Sequence, residues 1–332
     1  MTKHERLFAT LAGEPVDRPA ASFWRHFYPE ETTADGLASA MLDFQMEFDW
    51  DFIKVNPRAV YHVEDWGNTY KFSTESDKNH IQKSHRVHEP ADWSGLEVLN
   101  PNEGVLGQHL DALRQLDEGL RGEVPYIMTI FNPISIAGHL TGGAGKLMEH
   151  IESDPDAVRE GLDVITETFI GFARACLEVG ATGIFFPTTA YASSNQMTIE
   201  KYNGFGRPYD LRFLEAVQDA KFNLLHVCST NCFLYELSDY PAHALNWSTQ
   251  DPTTPDMLEA SERTNLPVIG GVDQGTAVTS DSADTALDQA LSAYDALKGR
   301  SFILGAGCTV PHSVNNQTLK SIRELVETWS EN

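Results

Sequence analysis

The sequence predicts a (β/α)8 TIM barrel with an N-terminal helical extension and an excursion after the second strand. Three observations carry this. Eight apolar, β-rich runs are spread over the 332 residues, helical patterns with recognisable starts lie between most of them, and polar residues able to do chemistry end the runs. Alternating strand and helix implies a parallel sheet, and eight such units in one chain of this size imply a closed barrel with its active site at the carboxyl ends of the strands. A hydrophobic content of 41% suffices for one barrel-sized core. No Gly/Ser- or Pro-rich spacer, low-complexity tract or short-period repeat interrupts the chain, so residues 1–332 read as a single domain.

Taken in order, Lys3-His4-Glu5-Arg6 opens a short amphipathic segment, the N-terminal extension. The first run, Ala20 to Trp24, leads into Arg25 and His26, and the second, Phe52 to Asn56, ends on an amide. Residues 61 to 101 show neither strand nor helix periodicity and form the excursion, expected to act as a lid or as the contact of a homodimer. Its His80, His85 and His88 have no soft donor near them in sequence and are expected to be solvated. Tyr126 to Phe131 is the third run. Asp154-Pro155 then supplies an N-cap and a first-turn proline for a long helix to about Gly180. Gly183 to Pro187 follows, ending at Thr188, and Asn223 to Cys228 comes next. The sixth run is Ala244 to Ser248, after which Thr254-Pro255 is expected to open another helix. Pro267 to Asp273 and Ser301 to Gly305 complete the set.

The fifth and eighth runs carry the clearest chemistry. Residues two apart on a strand share a face, so His226 and Cys228 aim at one point, and Cys308 follows the eighth run across the flexible Gly305-Ala306-Gly307. Neighbouring strand ends would gather one nitrogen and two sulfurs, a set suited to zinc rather than to calcium or magnesium. Three protein ligands leave a fourth position open, the mark of a catalytic site. Cys232, four residues beyond Cys228, competes as a third or fourth ligand if the segment after the strand turns helical, and is placed below Cys308. Cys176 lies within a helical run and reads as core.

Twenty-four basic against 48 acidic residues give a net charge of -24. Such a surface repels nucleic acid and anionic membranes, which excludes both as partners. An anionic substrate must then be met by basic groups placed locally against the global field. No apolar run approaches the roughly 18 residues that span a bilayer, and the opening residues do not form a signal peptide, so a cytoplasmic location is expected.

The opening Lys3 to Leu11 with Gly13 and Asp17-Arg18-Pro19, the pair His226-Val227-Cys228 with Gly307-Cys308, and Gly270-Gly271-Val272-Asp273 together resemble the uroporphyrinogen decarboxylase superfamily. Within it they resemble the zinc-dependent, corrinoid-linked methyltransferases that act between methylcobalamin and coenzyme M. The resemblance runs nearly end to end, and the zinc pattern is its specific part. It implies zinc held by His226, Cys228 and Cys308, a methyl-corrinoid such as methylcobalamin as donor, and a small acceptor, expected to be a thiol, prepared at zinc. No corrinoid-binding signature Asp-x-His-x-x-Gly is present, so the donor would come from a separate corrinoid protein or free cobalamin. Arg25, His26 and Arg207 are candidates for an anionic tail of the acceptor, Asp273 for substrate or for orienting the zinc-ligating histidine, and Asn56 and Thr188 for substrate by strand-end position. The chain departs from the decarboxylases. Gly305-Ala306-Gly307 stands where they carry Gly-His-Gly, Arg25 alone remains of an arginine-rich first loop, and Thr309-Val310-Pro311-His312-Ser313 lacks their usual Thr-Pro. The alternatives are a decarboxylase or other lyase, discriminated by the missing histidine, and a non-catalytic corrinoid-binding protein, discriminated by turnover.

Overall fold

In the computed structural model, which describes residues 1–329, eight parallel strands make the barrel. They are β1 (Ala20–Ser22), β2 (Ile53–Val55), β3 (Tyr126–Thr129), β4 (Gly183–Pro187), β5 (Leu224–His226), β6 (Ala244–Asn246), β7 (Val268–Val272) and β8 (Phe302–Ala306). Pairing runs β1-β8-β7-β6-β5-β4-β3-β2. Each apolar run is a strand, β4 over its full expected length. Most of the others stop short of the run's end because the chain leaves the ladder there to form the loops of the carboxyl face. Cys228 and Asn56 therefore lie just past their strands rather than within them.

β1 and β2 share no ladder, and buried polar groups close the barrel between them. Ser22 Oγ donates to Phe52 O at 2.8 Å, and Asp51 N donates to Ala21 O at 3.0 Å. The Asp51 carboxylate, fully buried, accepts from Ala21 N at 2.8 Å and pairs with Arg6 at 2.7 Å and Arg18 at 2.8 Å. Arg6 comes from helix α1 (Lys3–Ala12), whose start is fixed by a reciprocal cap between Thr2 and Glu5. The same helix sends Leu7 into the barrel lumen beside Ala20, Ile127, Leu224, Ala244, Ile269 and Ile303. The extension read from the sequence is thus the plug of the barrel's amino-terminal face.

Asp154 caps the long helix Pro155–Val179 as expected, its carboxylate accepting from Ala157 N at 3.1 Å, and Cys176 on that helix is buried core. The Thr254-Pro255 start is corrected. That helix is Met257–Thr264, capped by Asp256, because the Thr254 hydroxyl donates back to Ser248 O at 2.7 Å and closes the loop after β6. The excursion has structure of its own: a turn of helix at Tyr61–Glu64, an antiparallel hairpin of Thr69–Lys71 with Ile81–Ser84, and a 3-10 segment at Pro90–Gly95. His80 is corrected as well, since its side chain is only 3% exposed and Nε2 lies 3.4 Å from Glu31 Oε1. His88 is exposed and packs against the half-buried His85, with ring centroids 4.4 Å apart. Among the described residues no helix is long and apolar enough to cross a membrane.

Asp51→Ala takes from Arg6 and Arg18 the fully buried carboxylate they share and leaves them the more exposed Asp17 and Glu327, so the loss is expected toward the lower end of the about 3–5 kcal/mol of a broken buried pair. The urea midpoint is expected to fall accordingly, with Asp51→Asn intermediate. A shift within about 0.5 kcal/mol would mean that the barrel closes by other contacts.

Candidate active site

The site is built outward from Asn246, at the end of β6. Its amide nitrogen donates to Ile269 O at 2.9 Å and to Ala306 O at 3.1 Å, on β7 and β8. Two carbonyl partners fix which end of the amide is nitrogen, so Oδ1 must face His226, 2.6 Å from Nδ1. An acceptor at that distance requires Nδ1 to carry the proton. Nε2 is then the free lone pair, the tautomer that a metal-ligating histidine needs. Thr188 steadies the same residue from β4's end, its backbone N–H donating to His226 O at 3.0 Å and its hydroxyl at 3.3 Å.

His226 Nε2 points at sulfur. Cys308 Sγ lies 3.5 Å away, and the donor atoms of His226, Cys228 and Cys308 all lie within 4.8 Å of one another. Cys308 reaches this point because Gly307 lets the chain pass close to the end of β6. A Cβ at Gly307 would meet Ser248 Cα at 2.7 Å and Trp247 O at 2.9 Å. Beyond Cys228, Ser229 takes a left-handed conformation with φ 79°, which turns the chain away once the thiol is placed. A hydrogen bond from Cys228 and the neighbouring His226 hold the Cys308 thiol well below its ordinary range against the effect of burial. The same hydrogen bond and burial drive Cys228 up. One negative charge forms readily here and the second only against repulsion, which a bound cation would relieve. The set fits a soft divalent metal. Cys232 is not part of it: it bridges to Ser193 in the adjoining loop, and burial pushes its thiol up to about 11.

These three residues form one wall of a cavity of about 210 Å³ at the carboxyl face. The other walls are mostly apolar and include Pro57, Phe131, Phe185 and Pro187. Phe185 is the floor. It stacks on His226 with centroids 5.2 Å apart and meets Trp24, part of the lumen core, at 5.7 Å. Lys54 enters from β2 with Nζ 4.5 Å from the Phe185 ring centre. Burial pushes its ammonium down to about 7, while Cys308 and Glu31 act in the opposite sense. His26 lines the cavity too, and its Nδ1 lies 2.9 Å from the buried Glu31. Burial raises the Glu31 carboxyl, but the hydrogen bond to His26 and the nearby His80 bring it down to about 2. A larger hollow of about 320 Å³ beside Asp17, Arg18 and Arg300 sits on the opposite face, away from the strand ends where barrel enzymes work.

Of the substrate-binding candidates, only His26 lines the cavity. Arg25 turns the other way, its guanidinium 5.2 Å from the Phe27 ring centre and 5.4 Å from that of Phe44. Arg207 pairs with Asp239 and donates to Glu236 O at 2.9 Å. Asp273 accepts from the Thr276 hydroxyl at 2.8 Å and from Ala277 N at 3.0 Å, and caps its own turn. Thr188 is fully buried behind His226, and Asn56 is fully buried with neither amide atom hydrogen-bonded to a protein group. Sequence reasoning passed over Asn246, Lys54 and Glu31. For Lys54 a signal existed, a lysine in the middle of the apolar run Phe52-Ile53-Lys54-Val55 of a strand covered on both faces.

The uroporphyrinogen decarboxylase (URO-D) family profile matches residues 2–329. A methylcobamide:CoM methyltransferase from Methanosarcina acetivorans is 23% identical over 346 residues, covering 99% of this chain and 98% of the relative. One of the same name from Methanosarcina mazei is 26% identical over 245 residues, 68% of this chain and 70% of its own. A solved methyltransferase from Methanosarcina mazei superposes over the whole of both chains with a TM-score of 0.86 at 20% identity.

Removing the amide that sets the His226 tautomer tests the geometry directly. Asn246→Ala is expected to weaken zinc binding by roughly 10–100-fold, as losses of such orienting partners do. Competition against a chromophoric chelator measures it, with circular dichroism to check the fold. Unchanged affinity would separate Asn246 from metal binding.

Proposed function

The chain belongs to the uroporphyrinogen decarboxylase family, and within it we propose a zinc-dependent methyltransferase that moves a methyl group from a methyl-corrinoid to a small thiol. One observation carries the reading: His226, locked by Asn246 with Nε2 free, faces the two sulfurs of Cys228 and Cys308 at the carboxyl mouth of the barrel. The activity that names the two methanosarcinal relatives supports the corrinoid and the transfer class. Zinc would be held by His226, Cys228 and Cys308, and when bound it supplies the Lewis acidity that keeps a thiol deprotonated near neutral pH.

The residues do the rest. His226, Cys228 and Cys308 leave one side of the centre open to the cavity, where the acceptor's sulfur would lie. Apolar walls at Phe131, Phe185 and Pro187 exclude water and press a short acceptor against that side. In the transfer a sulfur–carbon bond forms from a sulfur lone pair, and the cobalt–carbon bond breaks with its electron pair left on cobalt. The thiol proton goes to solvent. A cavity of about 210 Å³ does not admit a corrinoid, so the donor would lie across the mouth with only its methyl directed inward. It is proposed to arrive as free cobalamin or on a separate corrinoid protein.

Decarboxylation of a porphyrinogen fits less well. The cavity falls below the roughly 300–1,000 Å³ of sites for drug-sized ligands, Ala306 offers no titratable group on β8, and Arg25 and Arg207 lie outside.

With methylcobalamin and 2-mercaptoethanol, the zinc-loaded protein is expected to convert the methyl-cobalt absorbance to that of the demethylated form. Cys308→Ala should lower the rate at least about 100-fold, since an unactivated thiol with pKa near 8.5 is only a few per cent thiolate at pH 7 and positioning is lost as well. Equal rates in the metal-free protein would sink the zinc reading. Uroporphyrinogen is expected to be left unchanged in the same preparations, and enzyme-like release of carbon dioxide from it would favour the decarboxylase instead.

A further inference from the structure

A thiol entering the cavity has to lose its proton where apolar walls leave little water to take it. Apart from the three metal-binding candidates, two titratable side chains among the described residues line that space, Lys54 and His26. Lys54 is 4% exposed and lies over the Phe185 ring, so a proton delivered to it would stay inside. The His26 side chain is 19% exposed, enough for water to carry a proton onward.

The surroundings of His26 fix which of its nitrogens is free. Nδ1 lies 2.9 Å from Glu31 Oε2, an oxygen that also accepts from Phe27 N at 3.1 Å. Burial works against charge on Glu31, but His26 and the nearby His80 hold its carboxyl down to about 2, so it is ionised and can only accept. Nδ1 therefore carries the proton, and Nε2 keeps its lone pair. On the other side of Glu31, Ser73 N donates to His80 Nδ1 at 3.0 Å, which puts the His80 proton on Nε2, 3.4 Å from Glu31 Oε1. Arg58 meets Glu31 at its backbone carbonyl, at 3.4 Å, and leaves the carboxylate to the two histidines. Tyr28 stacks on the His26 ring, with centroids 5.3 Å apart and planes 6° apart, and holds its tilt. An imidazolium formed at His26 would find both its countercharge and its orientation already in place.

We propose that His26 Nε2 is the proton acceptor for the thiol that enters the cavity, with Glu31 as the residue that positions it. This rests on the methyl-transfer reading above and adds to it the route by which the proton reaches solvent. The S–H bond breaks with its electron pair left on sulfur, the proton bonds to Nε2, and Glu31 stays a carboxylate beside the imidazolium. Water at the mouth then takes the proton and restores the neutral ring. Across a space of about 210 Å³, a sulfur lying beside Cys228 and Cys308 is within reach of His26 directly or through one water.

Two measurements on zinc-loaded protein test it, in the wild type, in His26→Gln, whose amide can still donate to Glu31, and in Lys54→Met. Zinc content and circular dichroism are recorded for each. In the first, with methylcobalamin as donor at about pH 8, ethanethiol is compared with 2,2,2-trifluoroethanethiol, a thiol of nearly the same shape that is far more acidic. His26→Gln is expected to lower kcat/KM about 100-fold for ethanethiol, the low end of what a positioned base contributes, and less than about tenfold for the acidic thiol, which arrives largely ionised. A merely structural defect would strike both alike. In the second, ethanethiol is titrated calorimetrically without any methyl donor, in two buffers of different ionisation enthalpy. The wild type is expected to release fewer protons to buffer per bound thiol than His26→Gln, because His26 keeps part of them. The proposal is overturned by unchanged activity in His26→Gln, by equal losses for the two thiols, or by equal proton release. So it is by a thiol-dependent loss in Lys54→Met in place of His26→Gln, since Lys54 would then be the base. If no thiol accepts a methyl group while the proton counts still differ, His26 stands as the proton acceptor and the methyl-transfer reading falls.

Discussion

The site depends on the orientation of one amide. Asn246 on β6 touches β7 and β8 through its nitrogen and β5 through its oxygen, so one side chain ties four neighbouring strands together at the carboxyl mouth. A flipped amide would place nitrogen against the Nδ1 proton of His226 and leave two buried carbonyls unpaired, which would cost several kcal/mol by the usual price of unmet buried polar groups. The backbone ladder and the histidine tautomer are therefore set by the same hydrogen bonds. Asn246 is thus a buried polar residue whose three hydrogen bonds reach β5, β7 and β8. It also places the lone pair before any metal arrives, so that binding would not have to reorganise the ring.

Charge inside the cavity is balanced locally. Two thiols and an imidazole become a strongly anionic corner once the sulfurs ionise, with Glu31 a short way off among His26 and His80. Lys54 is the cation between these acids, as the opposing influences of Cys308 and Glu31 on its ammonium indicate. A divalent cation at the cluster would neutralise the thiolates and remove much of what now compensates Lys54.

How much of this could be read from the residues alone follows from where each signal lies. His226, Cys228 and Cys308 are legible because donors of one softness stand at the ends of apolar runs, and strand periodicity and the parallel barrel do the gathering. The eight strands are legible for a related reason: strands covered on both faces are continuous apolar runs. The helix start at Asp256 was not legible, since Thr254 and Pro255 offer the same local cap two residues earlier and only the tertiary bond from Thr254 to Ser248 decides between them. Arg25 and His26 show the limit most clearly. They are adjacent, both polar and equally plausible at the first strand's end, yet one faces Phe44 and the other the cavity. His80 was out of reach because its partner Glu31 is 49 positions away and in another loop, and no local pattern records such a contact.

The same barrel can serve decarboxylation or methyl transfer, so the discrimination has to come from side chains at the mouth. In this chain the eighth strand ends at Ala306 and is followed by Gly307, two residues that add no functional group but allow close approach. That closeness brings Cys308 to His226. A histidine at position 306 would compete for space next to Asn246, whose nitrogen needs the Ala306 carbonyl in its present place. The small residues and the cysteine after them thus form one choice: giving up a side chain at the end of β8 makes room for the loop that brings Cys308 to His226. The cavity left over is about 210 Å³ and mostly apolar, which is small for a macrocycle with many carboxylates. Substituting at position 306 alone would not recover the other chemistry, because the arginines needed to hold such a macrocycle lie outside the cavity at Arg25 and Arg207.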